Sequence, residues 1–126
     1  IDYSFGFKDF NGYMIEFEAN DEDGTGKIFE KLSISFHSNG KITGNIEGEQ
    51  EGQNYYNSWS SEIRGEYDEE GLRDMESRFL GMSDEVDSEP DENWMDLDLF
   101  YDEERGVFVK DKREFKLKEI SGIEEK

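Results

Sequence analysis

Alternation of apolar and polar residues with a period of two, broken by turn-forming pairs, constrains this chain more than any other feature. Tyr13, Ile15, Phe17 and Ala19 alternate with Met14, Glu16 and Glu18. Leu32, Ile34 and Phe36 share one face of 28–37, and Ile42 and Ile46 mark 41–47. Trp59, Ser61, Ile63, Gly65 and Tyr67 alternate with Ser60, Glu62, Arg64 and Glu66. Successive side chains of a strand point to opposite faces, so each stretch can cover one side of a sheet and no more. Tyr3, Phe5 and Phe7 predict an opening strand that pairs with the next across Asn11-Gly12. Val107 to Val109 and the Phe115/Leu117 pair predict two closing strands, with Ile120 and Ile123 closing one end of the core.

Turn chemistry agrees with this division. Asn11-Gly12 and Asn39-Gly40 suit tight hairpin turns because both residue types tolerate positive φ. Polar runs at 20–26 and 48–54, Arg105-Gly106 and Asp111-Lys112 supply further turns. Gly44 and Gly65 inside strands point to bends that let a sheet curl. Over 68–81, Leu72, Met75, Phe79 and Leu80 recur at helical spacing, but Gly71 and the β surroundings favour a strand, with a short helix as the alternative. Turn signals spaced by about eight to twelve residues predict an all-β domain, either an antiparallel up-and-down barrel or a β-sandwich of about eight strands. The 126 residues fit a single domain over 1–126, with an acidic loop at 82–93.

Charge is the second constraint. The formal net charge is −20, and 47–104 carries most of it, with Arg64, Arg73 and Arg78 as its only bases. Such a field repels nucleic acid and anionic membranes and attracts basic proteins or cations. Only 33% of residues are hydrophobic, yet 14% are aromatic, enough with the alternation to build a core. The absence of cysteine excludes a disulfide framework and Cys-based metal or redox chemistry. No apolar run reaches bilayer length. The chain begins at Ile1 rather than Met, as a trimmed initiator or leader would leave it.

Catalytic motifs are missing. His37 is the sole histidine and lies beside a turn, without an acidic neighbour to orient it. A Ser-His-Asp triad would need partners brought from elsewhere in the fold, and a surface or edge-strand role is the preferred reading. The usual zinc sites, which take several His or Cys, are ruled out. Among 34 carboxylates, a pair suited to glycoside hydrolysis arises by chance. No glycine-rich phosphate loop follows a strand. The chain is read as a non-enzyme without cofactor.

The densest feature is 84–104, with no Lys or Arg. Its second half, 94–101, alternates strictly, which predicts one strand with Met95, Leu97, Leu99 and Tyr101 facing the core. Trp94, Asp96, Asp98 and Phe100 then face solvent, a row of charge with an aromatic at each end. Same-face carboxylates on a strand repel across about 6.6 Å, a cost that a cationic partner relieves. Trp is enriched among interface hot spots, and acidic fields speed association with basic partners. The predicted partner-binding residues are Asp84, Glu85, Asp87, Glu89, Asp91 and Glu92 of the loop with Trp94, Asp96, Asp98 and Phe100 of the strand. Solvation alone, or calcium held by Asp84, Asp87, Glu89, Asp91 and Asn93, are alternative readings of the loop, although it has no glycine for a sharp turn.

Two resemblances extend this reading. The runs Ser35-Phe36-His37-Ser38-Asn39-Gly40-Lys41-Ile42-Thr43-Gly44 and Glu62-Ile63-Arg64-Gly65-Glu66-Tyr67-Asp68 resemble the strand and turn grammar of small calycin-like barrels. That likeness implies a carrier of a small apolar ligand. As a small, very acidic, β-rich chain without cysteine, it is also similar to immunity proteins that neutralise secreted bacterial nuclease toxins. That implies a cytoplasmic monomer or weak dimer binding a basic protein. The second expectation is the leading one, with the carrier and a calcium-binding β domain as alternatives.

Overall fold

In a computed structural model, which describes residues 7–23, 26–82, 92–110 and 112–123, the chain forms one antiparallel sheet. β1 (Tyr13–Asp23), β2 (Gly26–Phe36), β3 (Lys41–Gly52), β4 (Tyr55–Asp68) and β5 (Gly71–Met82) make a meander of long strands. The two-residue β6 (Met95–Asp96) adds to β5. β7 (Phe100–Asp102), β8 (Val107–Lys110) and β9 (Arg113–Gly122) form a second meander, and β9 closes onto β1. The order is β6-β5-β4-β3-β2-β1-β9-β8-β7.

β6 and β7 are the two edges of this order, yet only residues 97–99 separate them. Chain geometry limits that connection to about 14 Å. The sheet therefore curls into a half-barrel whose edges are joined by a single segment. The all-β antiparallel architecture expected from the alternation is present.

The inward face follows the alternation. Ile15, Phe17 and Ala19 of β1, Leu32, Ile34 and Phe36 of β2, Ile42 and Ile46 of β3, and Ile63 and Tyr67 of β4 are buried together. Phe115 of β9, Phe108 of β8 and Tyr101 of β7 complete the core. Rings meet edge-on or tilted, with centroids 4.7 Å apart for Phe17 and Phe108 and 4.8 Å for Phe10 and Phe36, geometries that aromatic quadrupoles favour. Gly48 leaves room for Trp59, its cross-strand partner: a Cβ there would lie 2.2 Å from the indole Cε2.

Several local expectations are corrected. Phe7 does not belong to an opening strand: it starts a single helical turn, α1 (Phe7–Phe10), and Asn11-Gly12 links that turn to β1. Phe10 is buried against Phe36 and Tyr101, so α1 plugs one end of the core. The Asn11 side-chain amide donates to the Tyr67 hydroxyl at 2.9 Å, and that hydroxyl donates to the His37 carbonyl at 2.6 Å. The helix considered for 68–81 is absent. Asp68 Oδ1 accepts the amides of Glu70 and Gly71, making a tight turn that launches β5 as a strand. The polar run 48–54 is mostly strand, since β3 continues to Gly52 and turns at Asn54, which has positive φ. Leu117 and Ile120 stand opposite the buried Phe17 and Ile15, on the core side of the sheet, yet are exposed, because β8 pairs with β9 only as far as Lys116 and does not flank them.

One charged side chain among the described residues is buried. Glu30 occupies an inward position of β2 and pairs with Arg113 of β9, which also lies 3.5 Å from Asp21.

Candidate functional site

The segment that joins the two edges is the one singled out in the sequence, and its structure differs from the single strand predicted for 94–101. Met95 and Asp96 pair with Ser77 and Glu76 of β5, and the Leu97 amide donates to the Met75 carbonyl at 2.9 Å. The chain then crosses the seam and pairs Phe100, Tyr101 and Asp102 with β8. A strand that changes partners must break its ladder, and residues 97–99 are that break. Leu97 packs against the core, and Leu99 and Tyr101 are buried, so this part of the alternation survives. Met95 stands on the inner face, opposite Ser77, which in turn faces the buried Ile63, but at the free edge of the sheet it is left 66% exposed.

The predicted solvent face divides. Asp96, Asp98 and Phe100 point outward, and Phe100 is 62% exposed. Neither aspartate has an ion-pair partner among the described residues. Trp94 is half-buried because the Arg64 guanidinium lies 4.0 Å from its ring centroid and that of Arg78 lies 5.2 Å away. The same two arginines pair across β4 and β5, Arg64 with Glu76 and Arg78 with Glu62. Trp94 is thus engaged within the molecule, on two of the three bases of 47–104. Glu92 is exposed. Asp84, Glu85, Asp87, Glu89 and Asp91, and with them most of the loop at 82–93 and of the calcium reading, lie outside the described residues. Among the described residues no group of three or more acidic or histidine side chains is placed to hold a metal ion.

The structure brings further carboxylates to the seam. Phe100 lines a depression with Glu69, Glu70, Asp102, Glu103 and Glu104. Two turns built alike supply them. Asp68 Oδ1 accepts the amides of Glu70 and Gly71, at 2.8 and 3.2 Å. Asp102 Oδ1 accepts those of Glu104 and Arg105, at 3.1 and 3.2 Å. Each Asp is spent on its own turn, a local hydrogen-bond pattern that short acidic side chains favour. The Glu-Glu pair that follows is left facing solvent. The β4–β5 turn stands on one side of the seam and the β7–β8 turn on the other, with Phe100 between them. The repeated Asp-Glu-Glu at 68–70 and 102–104 was the sequence signal for this pairing, but nothing local to either turn shows that they meet.

The field of these carboxylates reaches inward. Tyr101, buried beneath the seam, has its phenol pushed up to about 12, chiefly by burial and then by Glu103, Asp102 and Asp9. Arg105 is drawn away from the depression: Glu114 of β9 binds its guanidinium and raises its pKa further. The seam therefore offers exposed apolar area at Phe100 and Met95 with acid around it.

No protein-family model matches the chain, and comparison with curated proteins and with solved structures finds no match.

Proposed function

We propose that the protein is a non-enzymatic binding protein that neutralises a basic protein partner through its acidic surface, most concretely as an immunity protein against a secreted nuclease toxin. The observation that carries this reading is Phe100, 62% exposed between two acidic turns. An exposed aromatic ring offers apolar contact area, and carboxylates around it select a cationic partner by steering and by pairing. A nuclease surface that grips phosphate presents the complementary charge. The partner-facing residues are Asp96, Asp98 and Phe100, joined by Glu69, Glu70, Glu103 and Glu104. Trp94 acts by fixing the start of the segment.

The test is affinity capture from the source organism, followed by titration of the purified partner at rising salt. Affinity is expected to fall with salt, and Phe100→Ser or Asp98→Ser with Asp96→Ser to weaken it at least tenfold. Unchanged affinity in these variants rejects the seam as the binding surface.

A further inference from the structure

On its outer face, away from the seam, the sheet carries a groove of about 550 Å³ lined by the carboxylates of Glu18, Glu47 and Glu49 and the ammonium groups of Lys31 and Lys118. Glu18 of β1 stands opposite Lys116 of β9 and is ion-paired with Lys118 at 2.5 Å. Glu18 also faces Lys31 of β2, Lys31 faces Glu47 of β3, and Glu47 faces Ser60 of β4. The row thus alternates in sign across the sheet and compensates itself, within a chain of net charge −20. Phe29, half-buried, and Tyr56, 56% exposed, rise beside this row on the same outer face, and Trp59 contributes to the lining.

We infer that this groove binds a neutral oligosaccharide. Neighbouring strands place the donors and acceptors of the row about 4.8 Å apart, close to the width of one sugar ring. A polyhydroxyl ligand can donate to Glu18 and Glu47 and accept from Lys31 in the same pose. A ligand charged throughout with either sign would meet half of the row as repulsion. A lipid would desolvate carboxylates and an ammonium without replacing their hydrogen bonds. The apolar faces of sugar rings suit Phe29 and Tyr56, and the volume falls within the range of pockets that take small ligands, about 300–1,000 Å³.

Calorimetric titration of the protein with cellohexaose, mannohexaose and chitohexaose tests this. At least one is expected to bind saturably, at one site per chain. Tyr56→Ala and Lys31→Met, each checked for fold by circular dichroism, are expected to weaken that binding about tenfold, the scale of one aromatic contact. Asp98→Ser, at the seam, should leave it unchanged. Absence of saturable binding by all three sugars, or undiminished binding in both groove variants, overturns the inference.

Discussion

The guanidinium carbon of Arg64 lies 4.0 Å from the centroid of the Trp94 ring, while its Nε bonds Glu76 at 3.1 Å. One side chain thus ties the start of the crossing segment to the β4–β5 face. Trp94→Ala is expected to lower stability by about 2 kcal/mol, the sum of lost area and a partly desolvated cation–π contact. Trp94→Phe should recover most of it. Urea denaturation of the two variants makes the comparison.

Like charges around Phe100 oppose one another across the seam. High salt should therefore raise the melting temperature, by screening carboxylates that share a depression. Substituting Glu103→Gln with Glu104→Gln should stabilise the protein slightly at low salt and remove part of the salt effect. Thermal melts at low and high sodium chloride check both outcomes.

Gly48 and Trp59 fit each other through a missing Cβ. Gly48→Ala puts a carbon 2.2 Å from the indole, and overpacking of this kind costs about 1–3 kcal/mol. In the background of Trp59→Leu the same glycine change should cost much less, since the obstructing ring is gone. A double-mutant cycle by denaturation measures the difference.

Glu30 depends on Arg113. Arg113→Met leaves the carboxylate buried and unpaired, and such losses cost about 3–5 kcal/mol. Adding Glu30→Met to that variant should restore much of the stability, as it removes the uncompensated charge. Equilibrium unfolding of the single and double variants tests the sign.

Tyr101 sets an alkaline limit. Its folded-state pKa of about 12 lies above the ordinary value of 10.0, so the folded chain holds this proton more tightly than the unfolded one. The contribution is complete below about pH 10 and is lost as pH rises toward 12. Absorbance titration of the phenols should show one group ionising late, and Tyr101→Phe should abolish both that phase and the linked loss of stability.

Alternation in β1, β2 and β4 was legible because each strand there buries one face and exposes the other. Asp68 and Gly71 likewise declared their turn in local chemistry. Phe7 misled because an alternating aromatic looks the same whether it enters a sheet or starts a plugging turn; Tyr3 and Phe5 of that predicted strand lie outside the described residues. The crossing segment misled for a deeper reason. Met95 obeys the alternation in sequence, but its environment is set by the change of partner from Ser77 on β5 to the β8 strand two residues beyond Leu97 and Asp98. The meeting of Glu69 and Glu70 with Glu103 and Glu104 is likewise a product of curvature, which no window of local sequence contains.

Pairing of β1 with β9 also bears on how the chain folds. Every other pairing joins strands that follow one another in sequence, and can form as a hairpin soon after its turn. Tyr13 meets Gly122 only when nearly the whole chain has been gathered. Closing so long a loop is entropically costly before any contact compensates it. The β1–β9 ladder is therefore the expected slow step.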